Sequence, residues 1–236
     1  MTFNARTSNL RLKLKVLDAP QRLLWAELAA TPAPFTLYGG TAIALRLGHR
    51  QSIDFDFFAS VPLEPDRLLA SVSYLAGADV RQKDRNTLSV IVFRGGPVKL
   101  SFFAPDKPMT MIGTPFETKR PALRLAPLID LAAAKLAAIP ARSTAKDYLD
   151  VHALMTKGKI ELALQLAAMP AVFPTQTHNP HVVLKSLCYF GDGDLPTLPD
   201  KVKRDLTAAV AAVDIDQVDA LIAQTAADPA RWKRLP

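Results

Sequence analysis

A single cysteine, Cys188, is all the thiol chemistry in this chain of 236 residues. That excludes an internal disulfide and suits a reducing compartment. Cys188 lies in an apolar run and reads as a buried structural thiol. No apolar run is long enough to span a bilayer, and the N-terminus lacks the uninterrupted apolar segment of a signal peptide. The expected location is therefore the cytoplasm, with no membrane partner. Zinc-like spacing is missing too. His49 and His152 have no such spacing to cysteine or to each other, and an Asn179-Pro180 turn separates His178 from His181. Neither a Ser–His–acid order, an internal repeat nor a low-complexity linker can be read. Acid is in deficit: 29 Lys and Arg against 22 Asp and Glu give a formal net charge of +7. Such a balance fits a polyanionic partner, RNA or nucleotide, and fits plain solubility equally well.

What is present divides into two compositions. Nearly half of the residues are apolar, enough for a sizeable core. Residues 1–9 read as frayed, and residues 10–30 as a helix that Pro20 splits or restarts. Strands are expected at 35–38, 52–58, 79–83, 87–93 and 98–103, the last two forming a hairpin around Arg94-Gly-Gly-Pro. Helices are expected at 41–47 and 65–74. From about Pro121 alanine and leucine rise, strand signals vanish, and helices are expected at 128–139, 144–156, 160–168, 180–190, 201–213 and 216–226. The fold class is α/β (α+β): a small mixed-sheet lobe over residues 1–121, then an all-helical lobe over 122–236.

The stretch with the most chemistry is FTLYGGTAIALRLGHRQSIDFDFF, residues 35–58. Side chains alternate along a strand, so Asp54 and Asp56 project to one side, about 7 Å apart. Ile53, Phe55 and Phe57 project to the other side, into a core. Acids on such a strand are either solvated at an edge or partnered, and a divalent metal is a natural partner. Gly39 and Gly40 follow a strand and open a helix, where backbone N–H groups and the helix dipole can meet phosphate. Thr41 can add a hydroxyl. An ordinary tight turn is the other reading of this Gly-Gly pair.

The helical half adds cations and acids. Leu128, Leu131, Ala132, Lys135 and Ile139 form one stripe, which puts a lysine within an apolar face. Lys135 there either snorkels or meets an anion such as a triphosphate. In Arg142-Ser-Thr-Ala-Lys-Asp-Tyr-Leu-Asp, Ser143 or Thr144 can cap a helix. Asp147 and Asp150 share a face, and Lys146 with Asp150 makes an i,i+4 pair. The cluster is either a self-contained salt-bridge set or a site in which Asp147 orients Lys135 while Arg142 and Lys146 meet phosphate or RNA. Asp192 and Asp194 read as solvated turn acids.

A Gly-Gly turn opening a helix, followed by Asp-x-Asp on a strand, resembles the DNA polymerase β-like nucleotidyltransferases. The resemblance implies that Asp54 and Asp56 bind magnesium in a two-metal clamp on a nucleoside triphosphate. It also implies a third carboxylate on the strand VKLSFF, where Ser101 stands instead, a departure that puts one metal site or acceptor activation in doubt. Lys99 shares the face of Ser101 and either neutralises phosphate or is a solvated hairpin lysine. The blocks GGTAIALRLGHRQSIDFDFF, VKLSFF, LIDLAAAKLAAI and ARSTAKDYLDVHAL, in that order, look like the AbiEii/AbiGii toxin family; KSLCYFGDGD also looks familial.

That resemblance implies the toxin of a bacterial toxin–antitoxin or phage-defence pair, with a cognate antitoxin encoded nearby. It implies a magnesium-dependent transfer of a nucleotide from a triphosphate, GTP or CTP, to an RNA acceptor such as tRNA. Carried over by residue, Asp54, Asp56, Lys135 and Asp147 are catalytic, with Asp54 and Asp56 on the metal. The same carry-over gives Gly40, Thr41 and Lys99 for the nucleotide, and the expected nucleotide-binding set adds Gly39, Ser52, Arg142 and Lys146. The alternatives are a catalytically impaired nucleotide- or partner-binding module on the same fold, and a plain RNA-binding domain.

Overall fold

The structure, a computed structural model, describes residues 12–107 and 109–234. The frayed start expected at residues 1–9 lies outside them. Strand β2 (Asp54–Phe58) lies in the middle of the sheet. Its Phe55 and Phe57 are fully buried while Asp54, Asp56 and Phe58 are half-buried, the alternation that a strand demands. Phe57 stacks on Phe102 with ring centroids 5.2 Å apart, Phe35 meets Phe102 edge-on at the same distance, and Trp25 lies 6.3 Å from Phe55. These rings form the core on one side of the sheet, each burying a large apolar area. Ile53 departs from the expectation. It precedes the strand and is 65% exposed, because the alternation that governs Phe55 and Phe57 has not yet begun there.

The other strands are β1 (Thr36–Tyr38), β3 (Asp79–Asp84), β4 (Thr87–Phe93), β5 (Pro97–Phe103), β6 (Phe116–Lys119) and β7 (Ala122–Leu125). They make one mixed sheet in the order β3-β4-β5-β2-β1-β7-β6. Strand β2 runs antiparallel to β1 and parallel to β5, and the β4–β5 hairpin forms as expected. The hairpin β6–β7 corrects the expectation that strands end near Pro121. It straddles residue 121, and β7 lies parallel beside β1 with Leu37 opposite Leu125. The sheet therefore reaches Leu125, past the boundary drawn between residues 121 and 122.

The expected helix at 10–30 is three pieces. A 3-10 turn at Leu14–Val16 precedes α1 (Ala19–Leu24), and a second 3-10 segment covers Trp25–Ala30. Pro20 sits in the first turn of α1, where its missing N–H costs nothing, and Asp18 with Gln21 closes a capping box. Helix α2 (Gly39–Leu47) follows β1 directly and ends at Gly48, whose φ of 62° supplies the left-handed cap. Helix α3 (Pro65–Ser71) is shorter than expected, its last residues forming a 3-10 turn at Ser73–Leu75.

The helical half contains α4 (Leu128–Ala138), α5 (Ala145–Thr156), α6 (Leu162–Val172), α7 (Pro180–Leu187), α8 (Asp200–Ala211) and α9 (Ile215–Ala227). Helices α4 and α5 pack against α2, which brings the helical half onto the glycine turn. Among the described residues no helix is long and apolar enough to cross a membrane.

Candidate active site

A cavity of about 740 Å³ opens between the β1–β2–β5 face and helices α4 and α5. The sheet places its floor. Tyr38 of β1 pairs with Asp56, and in the parallel β2–β5 ladder Asp54 faces Lys99 while Asp56 faces Ser101. All five line the cavity. Ser101 is buried and its Oγ is 3.3 Å from that of Ser89. The departure read in VKLSFF is thus located: a serine, not an acid, stands directly beside Asp56.

Among the described residues, neither Asp54 nor Asp56 has a side-chain hydrogen bond or an ion pair. Burial pushes the Asp56 carboxyl above its ordinary range and the charge of Asp54 pushes it further, against the opposing pull of Lys99, Lys135 and Lys146. Two carboxylates that repel each other in a desolvated position would be stabilised by a cation between them. Carboxylate oxygens are hard donors and fit a divalent cation such as magnesium. No cluster of three or more His, Cys, Asp or Glu among the described residues could hold a metal. An ion here would thus complete its shell with water and phosphate oxygens, as magnesium does.

The glycines fit tightly against this floor. Gly39 has φ +70°, and a Cβ there would lie 2.7 Å from Asp56 Oδ2. A Cβ on Gly40 would lie 2.1 Å from Arg50 Nη2. Both glycines line the cavity at the first turn of α2, where backbone N–H groups lack helical partners. Thr41 does not join them. It is buried, and its hydroxyl is 2.7 Å from Ser52 Oγ and bonded to the Asp54 carbonyl. The hydroxyl of Thr41, expected to meet phosphate, here braces the start of β2. Ser52 is mostly buried but does line the cavity.

Behind the glycines runs a chain of alternating charge. Lys135 Nζ, buried, lies 2.6 Å from Asp147 Oδ1 and 2.7 Å from Asp150 Oδ2. Arg142 Nε reaches Asp147 Oδ2 at 2.7 Å. Arg50 grips Asp150 in a fork, Nε to Oδ1 at 2.7 Å and Nη2 to Oδ2 at 2.8 Å, and His49 Nε2 is 2.6 Å from the same Oδ1. Burial works against the Asp150 charge, but the His49 and Arg50 hydrogen bonds, with the charges of Lys135 and Arg50, outweigh it and hold its carboxyl well below the usual range. Asp147 does orient Lys135, as the helical spacing allowed. The expected Lys146–Asp150 pair is absent among the described residues: Asp150 turns to Arg50 and Lys135, and Lys146 is exposed and lines the cavity.

Sequence reasoning overlooked His49, Arg50 and the central place of Asp150. The available signal was Asp150 three residues after Asp147, with two charged or ionisable residues just past the glycine that ends α2. Two further expectations change. The Ser143-or-Thr144 cap is not made by either side chain; Asp194 Oδ1 accepts from Ala145 N at 2.6 Å instead, so this turn acid holds the start of α5. Cys188 is only half-buried, at the end of α7.

The chain matches, over residues 22–224, the family described as "Nucleotidyl transferase AbiEii toxin, Type IV TA system". An uncharacterised protein of Aquifex aeolicus (strain VF5) is 29% identical over 160 residues, which cover 67% of this chain and 74% of that protein. The fold is similar to that of MenT4, a nucleotidyltransferase toxin of Mycobacterium tuberculosis H37Rv. The TM-score is 0.59 at 15% identity, covering 90% of this chain and 91% of that one.

Proposed function

The chain belongs to the AbiEii nucleotidyl transferase toxin family, and from that premise we propose that it is a magnesium-dependent enzyme transferring a nucleotide from a nucleoside triphosphate to an RNA acceptor. The acceptor end of tRNA is the expected target, GTP or CTP the expected donor, and a cognate antitoxin encoded nearby the expected regulator. One observation carries this reading: two carboxylates on a strand, unpaired among the described residues, stand against the first turn of a helix, in a cavity also lined by Arg50, Lys99, Lys135, Arg142 and Lys146.

In this reading Asp54 and Asp56 hold magnesium, which supplies charge neutralisation at the phosphates. The backbone N–H groups at Gly39 and Gly40 receive phosphate oxygens at the helix N-terminus. An acceptor hydroxyl oxygen bonds to the α-phosphorus, and the bond from that phosphorus to the bridging oxygen breaks. The electron pair leaves on pyrophosphate and the hydroxyl proton is released to solvent. Lys135 Nζ is held between Asp147 Oδ1 and Asp150 Oδ2, at 2.6 and 2.7 Å, which fixes its position. It acts as a positive point facing the phosphates. Lys99 and Lys146, exposed at the rim, offset the charge of the incoming triphosphate.

The test is incubation of the protein with total tRNA and each α-labelled triphosphate in turn. Label is expected to be retained on RNA with at least one of the four, in magnesium and not in excess chelator. Binding of triphosphate with no transfer to any RNA would favour the impaired module, in which Ser101 marks the missing acid.

A further inference from the structure

We infer that Arg50 is a phosphate-binding residue of this site, holding the end of the triphosphate that departs as pyrophosphate. The inference rests on the nucleotidyl-transfer reading, which counts Arg50 only among the cations lining the cavity, and gives that residue a specific role. It starts from the two neighbouring glycines. Gly39 makes room for Asp56 Oδ2 and Gly40 makes room for Arg50 Nη2, at 2.7 and 2.1 Å from where their Cβ atoms would stand. Consecutive residues of one helix turn therefore face a metal-binding carboxylate and a guanidinium. A phosphate chain laid along that turn meets the metal beside Gly39, where the α-phosphate reacts, and the guanidinium one residue on.

The simpler role, a counter-ion for Asp150, does not account for Arg50. Asp150 already has Lys135 at 2.7 Å and His49 at 2.6 Å. Its side chain is fully buried and is not part of the cavity wall, whereas Arg50 lines the cavity and keeps 16% of its side chain exposed. The guanidinium is also pinned in a way that leaves donors over. Nε and Nη2 are spent on Asp150 and Nη1 on the carbonyl of Gln51. An arginine has five N–H groups, so one each on Nη1 and Nη2 remains, and Nη2 is the atom against Gly40. A planar fork held on one side by a carboxylate presents the other to phosphate with little entropy left to lose. Charge agrees: two acids, Asp147 and Asp150, hold three cations, Arg50, Lys135 and Arg142, leaving an excess that suits an anion.

The test is calorimetric binding of magnesium pyrophosphate, of a non-hydrolysable α,β-methylene triphosphate with magnesium, and of the nucleoside monophosphate, to wild type, Arg50→Gln and Arg50→Lys. Arg50→Lys keeps the charge beside Asp150 and secures a folded variant, checked by circular dichroism. We expect pyrophosphate and triphosphate affinity to fall at least about tenfold in both variants, while monophosphate affinity stays within about twofold. In turnover, the inhibition constant of pyrophosphate rises in parallel with the triphosphate KM. Wild-type pyrophosphate affinity in the folded variants overturns the role of Arg50 alone. A wild-type protein that binds neither magnesium pyrophosphate nor the triphosphate overturns the transfer reading beneath it.

Discussion

Asp56 on β2 stands directly across from Ser101 on β5, in the parallel register of the two strands. A carboxylate at the serine would complete a triad with Asp54 and Asp56; the hydroxyl instead lies 3.3 Å from Ser89 Oγ, mostly out of solvent. A serine hydroxyl so placed is a neutral filler of the floor. Ser101→Ala is therefore expected to lower transfer by less than about fivefold, since a neutral hydrogen bond is worth about 1 kcal/mol. Steady-state kinetics in magnesium checks this, and a loss of a hundredfold would make Ser101 a participant.

Function and stability should part company at Asp56. Its charge is half-buried, repelled by Asp54 and unpaired among the described residues. Asp56→Asn removes that repulsion, and we expect the metal-free protein to gain up to about 1 kcal/mol in urea unfolding. The same change should eliminate transfer. A variant both inactive and strongly destabilised would show that Asp56 is structural.

Acid should act on the two halves of the site in opposite senses. The Asp56 carboxyl is raised, so the folded chain holds its proton more tightly than the unfolded chain, and its contribution to metal-free stability improves as pH falls toward the unfolded value of about 4. The Asp150 carboxyl is lowered, so the stability it contributes is present above that unfolded value and is lost as pH falls through its own, lower one. In the proposed function magnesium competes with the proton on Asp56. The rise in Tm caused by magnesium is thus expected to be largest near neutrality and to shrink on acidification, in melts run with and without the ion between about pH 8 and pH 4. A magnesium effect that does not change with pH would place the ion elsewhere.

The charge chain predicts an unequal pair. Asp150→Ala strands Lys135 and Arg50 with less compensation in a buried setting, and breaking such a set costs about 3–5 kcal/mol. Asp147→Ala should cost less. Its partner Arg142 is 53% exposed and can turn to water, and Lys135 keeps Asp150. Urea unfolding of the two variants checks the order, and equal losses would contradict it.

Local pattern carried much of this site, and distance hid the rest. Asp54 and Asp56 were legible because a strand alternates and phenylalanines mark its buried side. Lys135 was legible because a lysine inside an apolar helical stripe needs an anion. The partners of Asp150 were not: Arg50 lies 100 residues away, and nothing at i±4 betrays it. Thr41 misled because a hydroxyl beside two glycines looks free in sequence, while its acceptor, the Asp54 carbonyl, is supplied by the neighbouring strand. The β6–β7 hairpin was missed because FETK and ALRL are short and carry charge, and FETK has no fully buried residue while ALRL buries only its two leucines. Pro20 was legible as a break, but whether it ended or began a helix depended on the capping box of Asp18 and Gln21.

In the proposed reaction Asp54 and Asp56 direct transfer of the α-phosphate, with its nucleoside, onto RNA. This is tested most directly by supplying the same triphosphate labelled at the α or the γ position to wild type and to folded Asp56→Asn, in magnesium, with tRNA as acceptor. Wild type is expected to leave α-label on RNA and γ-label only in released pyrophosphate, and the variant to leave neither on RNA. Label from the γ position on RNA, or undiminished transfer by Asp56→Asn, would contradict the proposed reaction.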